Sequence, residues 1–260
     1  MSMAAKMFKA IVLSLTIMGA SMQADAIGGG ASWKEEVLLH DGGKLIVERS
    51  QVRGGRHEIG QEVPIAEHTV SFHLPGTGQA VTWKSEFGIE AEKSSLQLLA
   101  LDVVRGVPYI VTHPTGCIAY NKWGRPNPPY VFYRYDGKEW QRMPLGELPA
   151  EIKEANVVIG TLVHERRLTG YHGTIPANEI KRINAEAKNP DVRYLRVFVR
   201  EPITGGPTTC EKLVYDGKGG WLGEDWFTSQ PNKEACFKLC ERKRISTQYC
   251  PCERLIKGGK

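Results

Sequence analysis

Six cysteines constrain this chain more than any other feature: Cys117, Cys210, Cys236, Cys240, Cys250 and Cys252. They follow an N-terminus patterned like a secretory signal peptide. Lys6 and Lys9 make a basic start, Ala10 to Met22 is an apolar run, and Ala24-Asp25-Ala26 is an A-x-A cleavage site that leaves Ile27 first. The run is short for a membrane span, and no cysteine adjoins the cut to carry a lipid. The sequence therefore predicts cleavage after Ala26, no membrane span in the mature chain, and a periplasmic or secreted location. In such oxidising compartments an even set of cysteines predicts disulfides.

Spacing narrows the pairing. Cys236 and Cys240 stand four apart in a stretch that reads as helix, on one face and about 6 Å apart along the axis. Cys250 and Cys252 stand two apart, and in an extended segment they share a face at about 6.6 Å. The chain reverses between the two pairs, so the ladders match as Cys240–Cys250 inside Cys236–Cys252. Cys117 and Cys210 remain as the third pair, closing a loop that a chain-entropy argument values at roughly 4–5 kcal/mol. A zinc site made from the four tail thiolates is the alternative suited to a reducing compartment. No metal or cofactor is expected here.

Between the leader and the tail, the sequence is punctuated for antiparallel hairpins. Trp33 to Leu39 and Lys44 to Arg49 flank Asp41-Gly42-Gly43, with Leu45 and Val47 facing opposite to Lys44, Ile46 and Glu48. His68 to Leu74 and Ala80 to Ser85 flank Pro75-Gly76-Thr77-Gly78. Leu96 to Val104 and Val107 to Thr112 turn at Arg105-Gly106, and Lys212 to Trp226 holds another Asp-Gly turn. Period-two alternation and Asp-Gly turns are hairpin signals. Further on, Asn156 to Val163 and Tyr194 to Arg200 read as strands and Pro176 to Ala187 as a helix with Pro near its start. The expected fold is mainly β. Antiparallel hairpins form a sandwich or propeller-like domain over residues 27–228 with one internal helix, and residues 229–260 make a small disulfide-clasped helical unit.

The most distinctive stretch is YNKWGRPNPPYVFYRYDGKEWQRM, from Tyr120 to Met143. Pro126, Pro128 and Pro129 exclude helix and favour extended backbone. Tyr130 to Tyr135 and Glu139 to Met143 make a hairpin around Asp136-Gly137. Two readings are open. The aromatics fill a core, or Tyr120, Trp123, Arg125 and Tyr130 form a stiff exposed platform that binds a partner at low entropic cost. Trp140, in the return strand, is the better core candidate of the two tryptophans.

Catalytic signals are weak. The histidines show no zinc spacing, and there is no G-x-S-x-G elbow or phosphate loop. His57-Glu58 is a possible acid–base pair, and Cys117 near His113 a possible nucleophile, but a disulfide role for Cys117 fits export better. No catalytic residue is assigned. The formal charge falls from +5 to +4 once Lys6, Lys9 and Asp25 are removed, and it is not gathered into the basic stripe that nucleic-acid binding needs.

Three segments, WKEEVLLHDG at Trp33, YNKWGRPNPPYVFYRYDGKEWQRMPL at Tyr120 and REPI at Arg200, resemble an exported family of bacterial hypothetical proteins. The resemblance covers most of the mature chain. It implies export and a β-rich fold, and brings no activity, cofactor or catalytic residue with it. The leading expectation is a non-enzymatic envelope protein with an aromatic binding surface for an envelope protein or polymer. A hydrolase of envelope polymers and a purely structural protein are the alternatives.

Overall fold

The alternation in β1 (Gly30–Leu38), β2 (Lys44–Arg53), β3 (Ile65–His73) and β4 (Ala80–Lys84) puts every second side chain on one buried face. These strands form an antiparallel sheet in the order β4-β3-β2-β1, and the two-residue β9 (Thr174–Ile175) adds to β1 in parallel. β5 (Leu96–Val104), β6 (Val107–Pro114), β7 (Val131–Tyr135) and β8 (Trp140–Met143) make a second antiparallel sheet in chain order. The computed structural model describes residues 30–53, 65–85, 96–159, 168–186 and 190–256. The leader, residues 1–26, lies outside them. No helix among the described residues is long and apolar enough to cross a membrane.

The two sheets pack face to face, giving the sandwich form of the expected fold. Val37, Leu45, Val47, Val70, Phe72 and Val81 from the first sheet meet Leu96, Leu98, Leu101, Ile110 and Tyr133 from the second. β5 is buried along its whole length because the second sheet is covered on both faces. A register shift between Leu98 and Ala100 moves Leu101 and Val103 onto the same side as Leu96 and Leu98. That is the phase change a bulge produces. Leu99, Ala100 and Val111 therefore face outward, under Tyr130, Phe132, Leu148 and Ile152.

The inward face of the first sheet changes character along its length. On β2, Leu45 and Val47 are followed inward by Arg49, Gln51 and Arg53; on β3, Phe72 and Val70 are followed by His68. One end of the sandwich is apolar and the other polar.

Several expectations need correction. Tyr120 and Trp123 do not sit in an extended loop. Gly116–Lys122 is a short helix that ends at Trp123. The three prolines come after this helix and leave it intact. Trp123, at its end, turns into the sandwich, and Tyr120 and Trp123 are both almost fully buried. Among the described residues, 156–159 form no strand, and Tyr194 falls in a 3₁₀ turn spanning Pro190–Leu195, followed by a single bridge at Val197. The Ala177–Glu186 helix is present as expected.

The C-terminal unit contains β10 (Leu213–Tyr215), β11 (Trp221–Gly223) and helices Asp225–Thr228, Lys233–Arg242 and Cys252–Leu255. Val214 and Phe227 share its buried cluster with Cys236, Leu239, Cys240 and Cys252. The disulfides are Cys117–Cys210, Cys236–Cys252 and Cys240–Cys250, with Cα–Cα distances of 5.4, 5.8 and 5.9 Å. These are the pairs that spacing gives, although Cys252 opens a helix turn and does not lie in an extended strand.

The two tryptophans reverse their expected roles. Trp123 is 7% exposed and joins the main core, with Arg142 stacked 4.7 Å from its ring. Trp140 is only half-buried and packs at the core's margin, its Nε1–H donating to the Thr82 carbonyl at 2.9 Å. Trp123→Ala should therefore cost about 3–5 kcal/mol and Trp140→Ala clearly less, as measured by urea denaturation. A larger loss for Trp140→Ala would contradict this packing.

Candidate functional site: a cleft at the seam of the sandwich

β9 covers β1 only at Lys34 and Glu35, so the rest of that edge needs another cover. Residues 153–159 supply it, running between β1 and β5 with no strand structure of their own. Side chains replace the missing ladder. The Asn156 amide donates to the carbonyls of Leu38 (3.0 Å) and Leu101 (2.8 Å), and its oxygen accepts the Leu101 N–H at 3.1 Å. Asn184, on the Ala177–Glu186 helix, donates to the Val157 carbonyl and accepts from Ile159 N–H. Deeper still, Glu35 accepts the Val158 N–H (2.9 Å) while Arg49 donates to the Val158 carbonyl (2.8 Å) and to Glu35 (2.7 Å). Glu35 and Arg49 are both fully buried.

On the solvent side of this segment lies a cleft of about 860 Å³, within the size range of small-molecule sites. Leu38 and His40 form one wall, and the helix contributes Ile180 and Lys181. His40 donates its backbone N–H to Asp102 at 3.1 Å and holds the same carboxylate through Nδ1 at 2.8 Å. The hydrogen bond to Asp102 raises the His40 pKa above its ordinary value. Lys153 and Lys181 also line the cleft, both exposed and neither ion-paired among the described residues. Glu151 and Glu154 stand beside them. Among the described residues no Ser, Thr or Cys lines the cleft. The His40–Asp102 pair therefore has no side-chain nucleophile to activate, and its double contact closes the β1–β2 turn onto β5.

Two other histidines lie inside the protein. His68 accepts from Arg49 Nε–H at its Nε2, which places its own proton on Nδ1. Burial, reinforced by the Arg49 charge, pushes its pKa well below the ordinary range. His113 bonds the Pro129 carbonyl through Nδ1 at 2.8 Å, and burial pushes its pKa down to about 4.

The residues expected to form a binding platform do not make one surface: Trp123 joins the core between the sheets and Tyr130 the cluster on the outer face of the second sheet. Tyr120, Trp123 and Tyr130 are buried. The Tyr130 hydroxyl donates to the Tyr194 carbonyl at 2.7 Å and accepts from Val199 N–H, and burial pushes its pKa up to about 12. Arg125 stacks on Tyr120 at 4.9 Å and donates to the carbonyls of Thr208, Cys210 and Glu211. These contacts fix Arg125 as a joint to the C-terminal unit. Cys117 is bonded to Cys210 and offers no thiolate, so the nucleophile reading fails. Three tail sulfurs lie within 4.8 Å of one another because the two tail bridges stack; bonded to one another, they leave no zinc-binding thiolate set. His57 and Glu58 lie outside the described residues.

Sequence reasoning missed His40, Asp102, Lys153 and Lys181. The His40-Asp41-Gly42 turn was a visible signal, but its partner Asp102 is 62 residues away. Compared with known proteins, the chain matches no family model, no curated protein and no solved structure.

The buried histidines fix the sign of the pH dependence. Below about pH 6.5 the unfolded chain binds protons at these rings that the folded chain refuses. Stability should fall as pH drops from about 6.5 toward 4, with His113 alone contributing about 3 kcal/mol. His40 acts in the opposite sense, its contribution fading as pH rises through its raised pKa. Urea unfolding between pH 7 and 4 should show the loss, with a shallower slope for His113→Gln. Equal slopes would contradict the burial of a neutral His113.

Proposed function

We propose that this chain is exported, loses residues 1–26, and acts in the cell envelope as a binding protein for a small polar ligand carrying both charge signs. The seam cleft is its site. The observation that carries this reading is that Lys153 and Lys181, in no ion pair among the described residues, line one cleft with the carboxylates of Glu154 and of Glu151, the latter also paired with Arg105 at the surface. Such groups orient a ligand bearing a carboxylate and an amine, as amino acids and short peptides do. Leu38 and Ile180 supply apolar contact beside them. The three disulfides suit an oxidising compartment. Tyr120, Trp123 and Tyr130 serve as core in this reading, which moves the binding surface from the aromatic stretch to the seam.

A hydrolase reading has one observation in its favour, the 2.8 Å His40–Asp102 contact, which would let His40 deprotonate a water. The double contact to Asp102 favours a turn clasp, so binding is preferred.

Thermal unfolding of the mature protein beginning at Ile27, titrated with amino acids, dipeptides and glucose, tests the proposal. A zwitterionic ligand at about 100 times its Kd should stabilise by about 2.7 kcal/mol. The Lys153→Ala/Lys181→Ala double variant should lose at least about tenfold in affinity, since each tenfold is about 1.4 kcal/mol and two charge-assisted contacts exceed that. A response to glucose alone, or an unchanged double variant, would refute it.

A further inference from the structure

The charge of this chain is segregated. Residues 229–260 carry eight Lys or Arg against Glu234, Glu241 and Glu253, a net +5, whereas residues 27–228 carry a net −1. Within residues 229–260 the cations divide again. Lys233 pairs with Glu253 and Lys238 with Glu234. Arg242, Lys243 and Arg244, at the far end of the Lys233–Arg242 helix, are exposed and make no ion pair among the described residues. Lys243 Nζ lies 4.4 Å from the centre of the Trp226 ring, and Trp226 is 44% exposed. Three free cations and an exposed indole thus form one patch.

Helix capping explains only part of this. Cations at a helix C-terminus complement its dipole, but one or two suffice. Arg244 occupies the left-handed position that closes the helix, with φ of 55°, where glycine is the usual residue. The Ile245 N–H reaches back to the Cys240 carbonyl at 2.9 Å and Ile245 is buried, which completes the turn and points the chain inward just after the cations. Cys236–Cys252 and Cys240–Cys250 hold the helix from its buried face. The patch is therefore rigid and faces away from the unit's own core.

We propose that this patch docks the protein on an anionic phospholipid bilayer. Bilayer headgroups match it in charge, and an indole beside cations suits the polar–apolar boundary of a membrane. A nucleic acid would call for a longer basic stripe. Each cation near an anionic surface contributes about a fivefold increase in partitioning, so the three together account for roughly a hundredfold. The attraction is electrostatic and is weakened by salt. It is independent of the seam cleft, and the unit lies on the surface without spanning the bilayer.

Co-sedimentation of the mature protein with vesicles tests this. Vesicles of phosphatidylcholine with about one third phosphatidylglycerol should capture it at low salt and release it near 0.5 M salt, where the Debye length shrinks to about 4 Å. Vesicles of phosphatidylcholine alone should not capture it. Arg242→Gln/Lys243→Gln/Arg244→Gln should lower partitioning by a factor on the order of a hundred, and Trp226→Ala should lower it while leaving the salt dependence intact. A control removing Lys84, Arg105 and Lys138 as Gln tests whether total charge alone matters. Should the triple variant fail to fold by circular dichroism, the lipid and salt dependence of the unaltered protein still decides. Equal capture by both vesicle types, equal losses in the triple and control variants, or binding to soluble polyanions in preference to vesicles would overturn the proposal.

Discussion

The fully buried ion pair between Glu35 and Arg49 is the contact on which the seam of this sandwich depends. Burying two charges is costly, and hydrogen bonds to the pair's remaining positions offset much of that cost, although Arg49 Nη2 has no hydrogen-bond partner among the described residues. Here Glu35 spends one oxygen on Arg49 and the other on the Val158 N–H, and Arg49 reaches the Val158 carbonyl and His68. Both sides of one residue's backbone are thus bound by side chains from the first sheet. This lets an irregular segment close an edge that would ordinarily take a strand. Losing either partner leaves a buried charge unmatched, a cost of about 3–5 kcal/mol. Burial, reinforced by the Arg49 charge, keeps His68 neutral, so the polar end of the sandwich and the seam share one network.

The aromatic stretch has a different task from the one its composition suggests. Asn121 donates to the Glu211 carbonyl and accepts from Leu213 N–H, Arg125 bonds the carbonyls of Thr208, Cys210 and Glu211, and Cys117 is covalently bound to Cys210. This segment packs Ala119 and Trp123 into the sandwich and also grips the C-terminal unit. It is a joint. In the proposed account the seam cleft holds a small ligand and the basic patch meets the membrane, and the joint keeps the two in a fixed relation.

What could be read in the sequence was local. Glycine-containing turns, with period-two alternation in the first sheet, located β1 through β8, because a hairpin's register is set by its own turn and its own pattern. The disulfides were legible because two short ladders of cysteine admit one good match. Three features were hidden. The shift at Leu98–Ala100 leaves no mark in a strand buried on both faces, where alternation vanishes. The Gly116–Lys122 helix is short and lies against prolines that argue for extension. Residues 156–159 are apolar enough for a strand, but their partners are Asn184, Glu35 and Arg49. The cleft depends on contacts such as Asn156 to Leu38 and Val158 to Glu35, 118 and 123 residues apart in the chain. No spacing rule reaches that far, and a single Glu and a single Arg on neighbouring strands look like solvated surface until the face they share is known to be buried.

The most direct measurement is native-state hydrogen exchange at the Val158 amide. A group held by a buried carboxylate inside a sealed seam should exchange only through global unfolding. Its protection free energy should equal the stability from denaturant unfolding, and Arg49→Met should drop it to that of a local opening while β6 amides such as Ile110 keep their global protection. Exchange of Val158 through a low-energy local opening in the unaltered protein would contradict the account, because the seam would then be closed by something other than the Glu35–Arg49 pair.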